Sequence, residues 1–485
     1  MISLQLKNQH LMWRAGFGPA ASQLEQLNTL APAQLYKALQ QAAAKKPVFI
    51  DATDDYLKGL FKGIQEEGMR QALAKDDRRN IQQQSRQAIK SLNLMWLDEM
   101  VHANAQLVEK MAFFWHGHFA SRNLNVFYQQ QMLEVIRQNA LGSFRDLLHS
   151  VSKSAAMLNF LNAQQNRKDH PNENFAREVM ELFTLGRGNY SENDIKEAAR
   201  AFTGWGANLQ GDFVFRKFVH DGSAKTVFGK TGDFVGEDVL NLLLEQKQTA
   251  RFITQKIYRF FVNDNVDKAK VDWLAERFYK TDYHIGRLME DIFTADWFYD
   301  EKNIGAKIKS PIELIAGIRR MLPMEIENAD AQLLVQRLLG QMLFYPPNVA
   351  GWPGGRSWID SSTLMFRLRL PQLISDNDEL DVRPKTDDDQ MMGRSDENSA
   401  MVSSKKAMAK IGRPIKAVID WSAYMDSFAQ TPKEKLVESM SSTLLQVKPS
   451  FGAGLIQQYT DTSSREAFVK TATLQIMSTP EYQMC

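Results

Sequence analysis

From Ala20 to about Lys168 the apolar residues recur at helical spacing, Gln, Ala, Leu, Lys and Glu are frequent, and prolines are few. Such residues lose little freedom in a helix, and apolar positions three and four apart form a stripe that has to be buried against a neighbour. The stretch therefore predicts an antiparallel helical assembly. Its most polar part, KDDRRNIQQQSRQ from Lys75 to Gln87, reads as a solvated helix entering the core where Leu92, Met95, Trp96 and Met100 resume the stripe. Helical pattern returns in LNLLLEQKQTARFITQKIYRFFV and WLAERFYKTDYHIGRLMEDIFTADWFY, which predict a second helical lobe.

Two stretches interrupt the helices. Between Gly211 and Phe234, short apolar clusters are punctuated by glycines, which predicts a small β-hairpin or a structured loop near 211–234. YPPNVAGWPGGRSW, from Tyr345 to Trp358, holds too many prolines and glycines for a helix and predicts a rigid irregular loop. The segment 376–414 loses its apolar residues, turns acidic and then Ser/Lys-rich, and reads as a mobile insertion without a packed core. The expected architecture is mostly α and multi-helical. It places an N-terminal helical lobe at 1–210, the β element with a second helical lobe at 211–375, the insertion at 376–414, and C-terminal helices packing on the second lobe at 415–485.

Composition removes several function classes. The 485 residues exceed the roughly 250–300 at which one core usually stops growing, so two lobes or one elaborated domain are expected. Lys plus Arg (59) nearly cancels Asp plus Glu (57), with no long basic stripe, which gives nucleic-acid binding little support. The one cysteine is Cys485, so neither an intramolecular disulfide nor a Cys-based zinc cluster can form. No run of about 18 apolar residues predicts a membrane-spanning helix. The start, MISLQLKNQHLMWRAGFGP, lacks the uninterrupted apolar core of a secretion signal, so no signal peptide is expected.

The most promising chemistry lies in HPNENFAREVMELFTLGRGNYSENDIKEAARAFTGW, His170 to Trp205. A helix starting near Asn172 or Asn174 puts Phe175, Val179, Leu182 and Phe183 on one face and gathers Asn174, Arg177, Glu178 and Glu181 on another. Such a helix either lines a shared polar space or is a surface helix with an Arg177–Glu181 ion pair. His116 and His118, in KMAFFWHGHFAS, lie about 200° apart on an unbroken helix, so they share one ion only if the chain bends near Gly117. Two buried, hydrogen-bonded histidines are the plainer alternative. His170, Glu173, Glu178 and Glu181 offer mixed nitrogen and oxygen ligands, without the Glu-x-x-His pairs of a diiron bundle. His220, Asp221 and Lys225, in HDGSAKT, are either a ligand or acid–base cluster or only a turn. Ser191 and Asp194 resemble a capping box, a structural feature. Trp352 and Trp358 either wall a ligand or plug the core. No GxSxG, HExxH or GxGxxG signature is present.

Several phrases, taken together and in this order, carry a resemblance: RAGFGP from Arg14, FFWHGHFAS from Phe113, NENFAREVMELFTLG from Asn172, DIKEAARAFTGW from Asp194, HDGSAKTVFG from His220, KSPIELIAG from Lys309 and PPNVAGWPGGRSW from Pro346. The chain resembles the bacterial domain of unknown function 1800 family over nearly all of residues 10–370. That family brings no established reaction. It implies a partner from another family, domain of unknown function 1501, which is similar to phosphatases and sulfatases. The location then stands between the cytoplasm and export with such a partner.

Two functional expectations follow. In the first, the motifs converge on a polar cleft that binds a small or anionic ligand, with a metal-assisted hydrolytic activity. Glu178, Glu181, His220 and Asp221 serve as catalytic groups, and Asn174, Arg177, Lys225 and Trp352 hold the ligand. His116, His118 and His170 bind a divalent metal. In the second, the chain is a non-enzymatic helical accessory protein, and the charged motifs pair with one another to specify packing.

Overall fold

Helices account for about 60% of the chain, and the strands among the described residues form three two-stranded antiparallel sheets. The computed structural model describes residues 2–59, 75–208, 210–376 and 415–485. The expected insertion at 376–414 lies, apart from Asp376, outside the described residues.

The caps that start many helices can be read in the sequence. Ser143, Ser154, Asp267 and Ser464 each accept a main-chain N–H one turn into the helix that follows. The Ser191–Asp194 box closes in both directions, with Asp194 N–H on Ser191 Oγ at 3.1 Å and Ser191 N–H on Asp194 Oδ2 at 2.9 Å. Each such cap satisfies an otherwise orphaned donor and contributes about 1 kcal/mol. Ser310 and Glu313 repeat the arrangement, with Pro311 at the first helical position.

Two helices run through the centre. Every residue of Gln106–His118 except Gly117 is buried, and so is all of Pro311–Met321. Charges on such helices need internal partners, because an isolated buried ion is very costly. Lys110 pairs with Glu313 between the two helices. Glu109 receives Arg137 Nη2 at 2.7 Å and Trp96 Nε1 at 2.9 Å. Around this centre the buried apolar side chains form one continuous cluster from Leu11 to Tyr482. Leu92, Trp96 and Met100, four apart, join it fully, whereas Met95 falls off the stripe and is 42% exposed.

The predicted β element is present as two short sheets, the first of which draws one strand from ahead of Gly211, outside the expected 211–234. Trp205–Ala207 pairs with Phe213–Phe215, and Lys225–Val227 pairs with Lys230–Gly232. A third sheet joins Met324–Ile326 to Ala417–Ile419 across a long stretch of chain. The first helix, Leu4–Arg14, is tied to the far end of the sequence: Gln9 Nε2 donates to the Ser442 and Thr443 carbonyls at 2.8 Å, and Arg14 to that of Cys485 at 2.8 Å.

The helix expected after Asn172 changes winding within two turns. It is α from Asn174 to Glu178 and π from Val179 to Thr184, with the Leu185 N–H reaching back five residues to Met180. Short π segments often mark functional sites. Here the wider turn ends with the Leu182 and Phe183 carbonyls free to accept side-chain donors.

Candidate functional site

The π turn, the end of the central helix and the proline- and glycine-rich loop meet around His118. The central helix stays helical through Gly117, so its two histidines face different neighbours. A carbonyl can only accept, so His118 donates from Nε2 to Phe183 O (3.2 Å), which leaves Nδ1 to accept from Lys256 Nζ at 3.0 Å. Lys256 also donates to Leu182 O at 3.3 Å, and its ammonium lies 5.1 Å from the centre of the Phe252 ring. Burial, reinforced by the Lys256 charge, holds His118 far below the usual histidine range, so it is neutral. Burial pushes Lys256 down to about 8, and no carboxylate among the described residues offsets it.

His116 faces the loop. Its Nε2 accepts the Phe344 N–H at 3.2 Å, and its ring packs against Trp96, Phe344 and Trp352, the last at 5.4 Å. Burial lowers it to about 3. The loop sits so close that a Cβ at Gly351, whose φ is +83°, would collide with the Gly117 carbonyl. On its other side Gly117 is open, since a Cβ there meets nothing within 4 Å. Trp352 and Lys256 both keep partial exposure, while Trp358 is buried in the core.

The remaining expected residues fall into two networks. Arg177 grips Glu192 with two hydrogen bonds, 3.0 and 2.8 Å, and Glu173 with one at 3.1 Å, instead of pairing with Glu181. Glu181 accepts from Tyr190 at 2.5 Å and Arg187 at 2.7 Å, which lowers its pKa. Asn174 Nδ2 is held by the Leu161 carbonyl at 3.0 Å. Asn172 Oδ1 accepts the Asn174 N–H at 2.9 Å in the turn just ahead of the helix, whose first position is preceded by Glu173. Glu178, half-buried, has no hydrogen bond or ion pair among the described residues; burial, then the nearby Glu181, raises its pKa.

HDGSAKT folds against the helix Glu192–Ala201. Asp221 accepts from Arg200 Nε at 2.7 Å, and Arg200 also holds Glu197 at 2.9 Å. Burial alone would raise the Asp221 carboxyl, but Arg200 and Ser223 hold it well below the ordinary carboxylate range. Lys225 is buried and donates to the Asp221 and Ser223 carbonyls at 2.6 and 2.8 Å. His220 Nδ1 lies 2.9 Å from the Thr203 carbonyl.

These motifs thus meet in separate groups. His170 is exposed on a turn where it bridges back to Arg167, whereas His116 and His118 are buried. Among the described residues, no group of three or more His, Cys, Asp or Glu side chains is placed to hold a metal ion. Lys256 is the residue that sequence reasoning passed over. Its signal was available: Phe252 and Phe260 stand four residues either side, so the lysine sits inside an aromatic stripe of Lys247–Phe261.

The chain belongs to the family described as protein of unknown function (DUF1800), whose profile matches residues 10–484. No curated protein and no solved structure matches it. Among the described residues no helix is long and apolar enough to cross a membrane.

Proposed function

We propose that the chain acts on a small ligand at the opening beside Gly117, and that the Lys256 amine is its working group, as base or nucleophile toward an acyl or carbonyl centre. One observation carries the reading: an amine at about 8, held by a neutral histidine and a carbonyl, with no carboxylate among the described residues to neutralise it. Lysines depressed in this way exchange protons near neutral pH and are nucleophilic when uncharged. His118 positions the amine, and Trp352 walls the opening. Glu178, an unpaired carboxyl with a raised pKa on the helix that ends in the π turn, is the candidate second acid–base group. The hydrolytic expectation is thereby narrowed to amine chemistry, with no step assigned to a metal.

The test is labelling with an amine-directed acylating reagent across pH 6 to 11, read by peptide mass spectrometry. Lys256 should label with a midpoint near 8, while exposed lysines follow the ordinary value of about 10.4. If Lys256 labels with the exposed lysines, or not at all below pH 10, the reading fails. The alternative, a non-enzymatic accessory protein of a phosphatase- or sulfatase-like partner, predicts a stable complex with that partner that survives Lys256→Met.

A further inference from the structure

A cavity lies where the C-terminal ends of three helices meet, and Lys256 is not among the residues that line it. It has a volume of about 260 Å³, near the lower bound of roughly 300 Å³ for small-molecule sites. The turn after Leu4–Arg14, the end of Lys75–His102, the start of Gln106–His118 and the end of Pro311–Met321 enclose it. Met12, Gln23, His102, Arg319 and Arg320 contribute to its walls.

Helix C-termini carry partial negative charge, which by itself would favour a cation. The hydrogen-bond account points the other way. Met12 O is taken by the Gly18 N–H at 3.1 Å, and Gly18 O and Val101 O by Arg320 at 2.8 and 2.6 Å. Met100 O and Ala103 O are taken by Gln106 Nε2 at 3.0 and 2.8 Å. These main-chain acceptors are engaged, and the two arginines bring donors to the same walls. Arg319, 6% exposed, leaves Nε buried and unpartnered while Nη2 reaches Asp98 at 2.7 Å. Arg320 is bound to two carbonyls and, at 3.2 Å, to Gln23, and its buried charge is paired with no carboxylate among the described residues. A buried guanidinium without a counter-charge, beside an orphaned N–H, is complementary to an oxyanion.

We infer that this cavity binds the oxyanion head of a small organic acid or phosphate, with Arg319 and Arg320 as its recognition groups. Gly16 and Gly18 of RAGFGP line it, as do Arg319 and Arg320 at the end of the helix that KSPIELIAG begins. The site is independent of the Lys256 reading.

Isothermal titration of the full chain with succinate and with inorganic phosphate, against chloride at equal ionic strength, tests it. Succinate or phosphate should bind where chloride does not, and the stronger of the two identifies the head group. Ser22→Trp fills the cavity from its exposed rim while both arginines stay in place in the sequence, and Arg319→Gln removes the orphaned donor. Each should weaken binding at least tenfold with unchanged circular dichroism; melting should hold for Ser22→Trp and fall for Arg319→Gln, which also loses its pair with Asp98, whereas Lys256→Met should leave binding unaltered. Heats no different from chloride, or binding that survives Ser22→Trp, would overturn the inference.

Discussion

Replacing Lys256 by Met should reverse the usual effect of losing a hydrogen-bonded residue, and the reversal should depend on pH. A lysine at about 8 in the folded chain and about 10.4 in the unfolded chain binds its proton more weakly when folded. Below pH 8 the folded state therefore carries a penalty of about 3 kcal/mol, at roughly 1.4 kcal/mol per pH unit of difference, and the partial exposure of the side chain trims it somewhat. As pH rises from 8 to 10.4 the unfolded chain loses its proton too, and the penalty disappears, so wild type gains stability over that window. Met cannot titrate. It also leaves the Leu182 carbonyl and His118 Nδ1 without their donor, at about 1–3 kcal/mol, but that loss does not vary with pH in this range because His118 stays neutral. Urea unfolding of both proteins at pH 7, 9 and 10.5 isolates the effect. The stability of wild type minus that of Lys256→Met should rise by roughly 1–1.5 kcal/mol between pH 7 and 9 and by about 3 kcal/mol at pH 10.5. Parallel curves across the range would refute the claim that the amine is held near 8, and with it the argument for its chemistry.

Glu109→Gln or Arg137→Met, each breaking an ion pair in which both side chains are buried, should cost about 3–5 kcal/mol in urea unfolding, while Glu109→Gln with Arg137→Met should cost less than the sum; strict additivity would refute the coupling. Gly236→Ala should destabilise by about 1–3 kcal/mol because its methyl collides with the Trp205 and Phe202 rings, whereas Gly117→Ala, facing open space, should be neutral or stabilising by up to about 1 kcal/mol; equal effects would show that local packing is misassigned. Asp221→Asn should weaken the protein at pH 7 and narrow the gap to wild type on acidification, since a carboxyl depressed on folding stabilises above its unfolded value of about 3.9 and loses that contribution as pH falls through its folded value. A gap that is constant from pH 6 to 2 would contradict the Arg200 pairing.

How much was legible in the sequence follows the range of the interactions concerned. The helices, the β element after Gly211, the irregular loop from Tyr345 and the Ser191–Asp194 cap are set by residues a few positions apart, and these were readable from periodicity and turn chemistry alone. The polar face of the helix after His170 was readable too, but not its partners. Arg177 found Glu192 fifteen residues on rather than Glu181 on its own helix, and Glu181 turned to Tyr190 and Arg187. Periodicity assigns a side chain to a face without saying what that face meets.

The sequence by itself determined that this chain is built of helices, where they begin, and which charged motifs have to be accounted for. Only the tertiary structure decided that Lys256 meets His118, 138 residues away, and that a π turn delivers the carbonyls holding both. It also decided that the arginine-lined cavity closes between helix ends drawn from the first, second and fourth hundred residues. The physical reason is the same in each case. Desolvation by packed neighbours is what lowers the lysine and leaves an arginine N–H without a partner, and burial is a property of the assembled core that no local window of sequence contains.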